Sequence, residues 1–315
     1  MKTKYKLISA LSLLSASAIG TGIVNKLIKF HAVSRKLLSS DSSWNYSWRL
    51  GKIKYMKKGS GTPLLLIHDL NSSASSYEWN KISKALSEKH NLFLPDLIGC
   101  GLSEKPDMTY TNFLFVQMIS DFIRSKIGKR CNVITSGASS SIIIMAAKLS
   151  PELFDKIILI SPESPENGMK VPGKRAKTYK FIFNLPIIGE LLYNISLSKK
   201  NIGESFSKKN FYHPYRFSPM IKDIYYESAH LGESPKSLHA SLICNYTKVN
   251  IKPAVSDIDN SIFIIYGEND SEGKLSAKEF SALNYSIEST SIPNCKKYPQ
   301  IEAPDQLLEL LDIYL

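Results

Sequence analysis

Pro63 to Ile67 form a continuous apolar run that closes on His68. A run this short, entered from Gly59-Ser60-Gly61, reads as a strand buried on both faces, as in parallel sheets. Ser261 to Tyr266 repeats the pattern, and Leu92–Asp96, Asn132–Thr135 and Lys156–Ile160 are shorter versions of it. Gly51–Lys58 reads as a further strand. Helix-like segments fall between and after them at Tyr77–Lys89, Phe113–Ile127, Ser141–Leu149 and Gln306–Leu315. Strands alternating with helices demand right-handed crossovers and a mostly parallel sheet with helices on both faces. The fold class is therefore α/β.

The 315 residues suffice for one such domain with an insertion. The net charge of +12 is uneven. Residues 1–60 carry twelve Lys/Arg against Asp41 alone, residues 164–254 carry fourteen basic against six acidic side chains, and residues 255–315 reverse the balance. Basic blocks on a neutral-to-acidic body read either as contact with an anionic surface such as lipid headgroups or simply as solvated surface lysines. No aromatic-interleaved basic motif of the usual nucleic-acid modules is present, so no nucleic acid is expected. Cys100, Cys131, Cys244 and Cys295 are too widely spaced for a metal site, and free buried thiols are expected. Neither a metal nor a cofactor is called for.

Lys2, Lys4 and Lys6 precede Leu7–Val24, a stretch without charge that is just long enough to cross a bilayer core. An uncleaved membrane anchor is one reading. A signal peptide cleaved near Ala16-Ser17-Ala18, releasing a secreted protein, is another, and a buried globular helix is a third. Positive charge on both flanks leaves the sidedness open.

Between Ile160 and Ile262 lies a basic, helix-like segment rich in Tyr and Phe. Inserted at the carboxyl edge of the sheet, it would cover the crevice where such sheets bind ligands.

Three segments in order now resemble the α/β-hydrolase superfamily, nearest its haloalkane-dehalogenase and epoxide-hydrolase-like branch. Leu64-Leu65-Leu66-Ile67-His68-Asp69-Leu70 is similar to the strand that positions an oxyanion hole. Pro95-Asp96-Leu97-Ile98-Gly99-Cys100-Gly101-Leu102-Ser103-Glu104-Lys105-Pro106 resembles the family's Asp-x-x-Gly-x-Gly-x-Ser-x-x-Pro turn. Ile264-Ile265-Tyr266-Gly267-Glu268-Asn269-Asp270 resembles the strand that delivers the triad acid. The resemblance implies an α/β-hydrolase fold with a helical cap. Residues 1–36 would form the anchor or signal segment, 45–315 the hydrolase domain, and about 164–256 the cap insertion.

The chemistry of that family needs a nucleophile on a strained strand-to-helix turn, a histidine base and a carboxylate that orients it. Here the turn is Thr135-Ser136-Gly137-Ala138-Ser139-Ser140. Counting back from Pro151-Glu152 puts Gly137 at the nucleophile position, while other registers nominate Ser139 or Ser136. Asp270 stands at the acid position. The loop that should deliver the imidazole, Ile292 to Pro304, holds Lys297 instead, and no histidine follows His239. An Asp270–Lys297 ion pair is the expected product. The resemblance nominates Leu70 and Ala138 as oxyanion-hole donors, with Asp69 standing where the family has glycine.

Two functions remain open. One is a membrane-associated binding or structural protein that has lost triad hydrolysis, with a small apolar or lipid-like ligand under the cap. The other is an esterase-like hydrolase using Ser139 or Ser136 with a non-histidine base.

Overall fold

The computed structural model describes residues 2–38 and 43–315, the side chains of residues 2–16 excepted. Eight strands form one sheet in the order β1-β2-β4-β3-β5-β6-β7-β8. They are β1 Ser43–Trp48, β2 Gly51–Lys58, β3 Thr62–Ile67, β4 His90–Pro95, β5 Cys131–Ser136, β6 Phe154–Ile160, β7 Ile262–Gly267 and β8 Glu288–Ile292. The β1–β2 and β2–β4 pairs are antiparallel, and all others are parallel.

The helices, in chain order, are α1 Lys2–Val33, α2 Asn80–Lys89, α3 Asn112–Phe122, α4 Ser140–Leu149 and α5 Pro165–Gly168. Next come α6 Ala176–Asn184, α7 Ile188–Ser196, α8 Lys199–Glu204, α9 Pro219–His230, α10 Pro235–Ile243 and α11 Lys252–Asp257, and then α12 Ser271–Leu283, α13 Pro299–Glu302 and α14 Pro304–Tyr314. Helices α5 to α11 all lie between β6 and β7 and form the cap.

The apolar runs explain the layering. Along β3, Leu65 and Ile67 pack with α3 and α4 residues such as Phe115 and Ile143 on one face, while Leu64 and Leu66 pack with Leu86 of α2 and Leu307 of α14 on the other. Successive side chains of a strand point to opposite faces, so a run without polar residues is needed when both faces are covered. A third apolar cluster joins the cap to the body, stacking Phe206 and Phe211 on Tyr298.

The sequence reading did not include β1 and β8. Both are edge strands, and β8 is Glu-Ser-Thr-Ser-Ile, with no apolar run to mark it. Helix α1 carries the Leu7–Val24 stretch, although the side chains of its first half lie outside the described residues. Among the described residues no single helix is long and apolar enough to cross a membrane. From Asn25 onward α1 is docked on the cap. Asn25 donates to the Ile187 carbonyl and accepts from Asn194, at 3.1 and 3.0 Å. Arg35 pairs with Asp223 at 2.6 Å.

Candidate active site

Four chain segments meet at the carboxyl edge of the sheet. They follow β3 (His68 to Ser73), β5 (Gly137 and Ala138), β7 (Asp270) and β8 (Lys297 and Tyr298), and all but the β7 segment reach the cavity wall. A cavity of about 540 Å³ opens above them, roofed by α7, α8 and α10.

The turn after β5 places Gly137 at φ +56°, a left-handed conformation that penalises any side chain. A Cβ built on Gly137 would lie 2.2 Å from Oδ1 of Asp69. The direction a nucleophile side chain would take from this residue is thus filled by a carboxylate from the neighbouring strand. Asp69 Oδ1 accepts the backbone N–H of Ala138 at 2.8 Å. Its Oδ2 accepts from the Tyr298 hydroxyl at 2.8 Å and from Asn71 at 3.2 Å. Lys297 Nζ lies 3.5 Å from the same oxygen, with about a third of its side chain exposed.

These contacts set the charges. Burial alone would raise the Asp69 pKa, but the Lys297 ammonium and the hydrogen bonds from Ala138, Tyr298 and Asn71 hold it below the usual carboxylate value. The Asp69 charge in turn raises Lys297, against the opposing effect of burial. An ammonium held this way is a poor base at neutral pH.

The expected Asp270–Lys297 ion pair is therefore corrected. Lys297 pairs with Asp69, and Asp270 is a weaker, more distant contributor to its charge. The reason is positional. Asp270 stands at the N-cap position of α12, without a side-chain capping bond, and its carboxylate lies against Gly273, whereas Asp69 lines the cavity.

Neither Ser136 nor Ser139, the two serines nominated as nucleophiles, faces the cavity. Ser139 Oγ donates to the His68 carbonyl at 2.6 Å, and Ser136 Oγ accepts from Gln300 at 3.1 Å on the buried side. Both are fully buried. Leu70 and Ala138 line the cavity, and the Ala138 N–H is already engaged. His68 is structural. Its Nε2 accepts from Leu97 N, so the proton sits on Nδ1 and is donated to the Asp69 carbonyl.

Two pairings at the cavity had no signal in the sequence, although His239 was one of the cap histidines that could be considered as a base. Ser72 Oγ lies 3.1 Å from Nδ1 of His239, which arrives from α10. Glu163 and Lys248 form an ion pair on the cavity wall. Each joins the body to the cap or spans it, so only the folded chain brings the partners together. Burial pushes His239 down to about 4, so it is neutral at physiological pH.

Behind the cavity, Glu78 is wholly buried, accepting from Asp69 N at 3.1 Å and from Gln300 at 2.7 Å. Burial, reinforced by the Asp69 charge, raises it to about 8. Between its ordinary value of 4.5 and that value the folded chain holds a proton that the unfolded chain releases. Its contribution to stability is thus complete below the ordinary value and is lost as pH rises toward 8. Urea midpoints measured across this window for wild type and Glu78→Gln should show wild type losing stability relative to the variant as pH rises. Parallel profiles would mean that Glu78 is ionised in the folded state.

Set against known proteins, residues 62–304 match the family model described as the alpha/beta hydrolase fold. The chain belongs to that family. Among curated relatives it is 40% identical over 70 residues to the cis-3-alkyl-4-alkyloxetan-2-one decarboxylase of Shewanella oneidensis, covering 22% of this chain and 21% of that one. It is 40% identical over 60 residues to a haloalkane dehalogenase of Agrobacterium fabrum, covering 19% of each. The matched segments thus span about a fifth of these relatives' lengths. The structure of Cfl2 from Burkholderia cenocepacia superimposes with a TM-score of 0.71 at 16% identity, covering 87% of this chain and 95% of that chain. At that identity the likeness establishes the fold alone.

Proposed function

We propose that this α/β-hydrolase-fold protein is a membrane-associated binding protein that has lost triad hydrolysis and holds a small lipid-like molecule under its cap. The observation that carries the reading is the Asp69 carboxylate. It fills the space above Gly137, takes the Ala138 N–H and neutralises Lys297. A carboxylate fixed at this point opposes the negative charge that acyl transfer develops there. In a well-studied serine hydrolase, loss of the nucleophile or the histidine alone costs roughly six orders of magnitude in turnover. The cavity nevertheless remains open. Its walls mix Leu197, Ile202, Phe206 and Leu242 with the polar groups of the floor, which suits an apolar chain with a polar end.

Membrane association draws on the Leu7–Val24 stretch and its flanking lysines. The binding reading predicts that a dansylated fatty acid binds saturably to the full-length protein. Ile202→Trp, which fills the cavity, should abolish binding without unfolding the chain. Unsaturable binding, or equal binding by the variant, would count against the cavity as the site.

The esterase-like alternative no longer draws on Ser139 or Ser136, whose hydroxyls are committed elsewhere. One observation favours a version of it: Ser72 and His239 face each other inside the cavity. Among the described residues His239 has no carboxylate partner, and it packs edge-on against Phe183 and Tyr193. With its pKa pushed to about 4 it is a weak general base near neutral pH.

A further inference from the structure

From Asn167 to Gly189 the chain has five basic residues (Lys170, Lys174, Arg175, Lys177 and Lys180) and no acidic one. Large apolar side chains are exposed among them, including Val171 at 76% and Phe181 at 65%. The apolar face continues along α7, where Ile188 and Ile195 are exposed seven residues apart, two helical turns on one side. By length and composition the bent pair formed by α6 and the segment from Ile188 to Asn210 is apolar enough for a membrane span, though it is broken by 103°. A helix pair bent so sharply lies along a surface more readily than across a bilayer.

Helix α1 adds a second strip beside it. Ile19, Ile23, Leu27 and Phe30 are exposed at helical spacing, on the side turned away from the Asn25 contacts that dock α1 on α7. That strip runs on in sequence from the uncharged Leu7–Val24 stretch.

From this arrangement we infer that α1 and the α6–α7 face of the cap dock together onto an anionic lipid bilayer, so that the cavity opens at the lipid boundary. Three features favour lipid over another protein or nucleic acid. The apolar groups are aliphatic as well as aromatic, which suits acyl chains better than stacked bases. Around α6 the charge interleaved with them is basic, complementary to anionic headgroups, with Glu190 at the start of α7 as the acidic exception. The patch also adjoins the one uncharged N-terminal stretch of membrane-spanning length.

The cavity is placed to benefit. Ser196 and Leu197, which line it, directly follow the exposed Ile195. A molecule leaving the bilayer beside α7 would meet the cavity wall one residue further along the chain. The inference rests on the membrane-association reading and adds to it an orientation and a route of entry.

Site-directed spin labelling separates the two. All four native cysteines are buried, so surface cysteines can be labelled selectively. Full-length Phe181→Cys, Ile195→Cys and, as a control on the body, Tyr285→Cys would be bound to phosphatidylcholine vesicles with and without phosphatidylglycerol. Tyr285 is 94% exposed. The inference predicts that oxygen relaxes the labels at 181 and 195 more than a nickel chelate does, with the order reversed at 285. The effect at 181 should weaken when phosphatidylglycerol is omitted or when Lys174 and Arg175 are changed to Glu. Protein that co-sediments with vesicles while all three labels read as aqueous would overturn the orientation and leave membrane association standing. Protein that fails to co-sediment would overturn both.

Discussion

Gly137→Ser alone should destabilise the fold heavily, and Asp69→Gly should relieve most of that cost. The added Cβ would meet the Asp69 carboxylate at 2.2 Å on a backbone with φ +56°. The left-handed conformation accounts for about 1–2 kcal/mol. The rest comes from expelling Asp69 from its contacts with Ala138, Tyr298 and Lys297, and breaking a buried charge pair costs about 3–5 kcal/mol. With Asp69 replaced by Gly, only the backbone strain remains for the serine to impose. Urea denaturation of both single variants and the double variant should therefore give a coupling energy of about 2 kcal/mol or more in the sense of mutual relief. Additive effects would mean that the two residues do not share that volume.

The second large effect is Lys297→Met. Asp69 is 3% exposed, and its charge is held down mainly by the lysine against the penalty of burial. Removing the ammonium strands the carboxylate, and the loss should approach about 3 kcal/mol, the lower end for breaking a buried pair, because Lys297 is partly exposed. The Asp69 pKa should then rise, so the deficit relative to wild type shrinks as pH falls and the carboxylate takes up a proton. Adding Asp69→Asn to Lys297→Met should recover stability at neutral pH. A deficit that stays constant with pH would show that Lys297 acts through packing on Tyr298 rather than through charge.

The body of the fold was legible because its signals are local. The buried strands announce themselves as apolar runs. The turn from Pro95 to Pro106 is specific because Asp96 must accept from the backbone of Ser76 and Leu102 while Gly101 folds against it at positive φ. Edge strand β8 was not legible, since Glu288–Ile292 owes its conformation to pairing with β7 rather than to its own composition. The candidate site was legible only in part. The family resemblance pointed to Gly137, Asp270 and Lys297, of which Gly137 and Lys297 lie against Asp69. The destination of the Asp69 side chain could not be read, because it depends on how β3 and β5 lie side by side. Nor could the pairing of Ser72 with His239, which are 167 residues apart and meet only when the cap closes over the sheet.

We propose that an internal carboxylate, Asp69, occupies the place from which a nucleophile at position 137 would act. Fluorophosphonate labelling of the full-length protein, read by intact mass and peptide mapping, tests it most directly. The combined variant Asp69→Gly, Gly137→Ser, Lys297→His, where it folds, serves as the comparison. The account predicts that folded wild-type protein takes up no label and that the combined variant is labelled at position 137. Stoichiometric labelling of wild type at Ser72, Ser136 or Ser139 would contradict it and identify the residue through which the protein acts as a hydrolase.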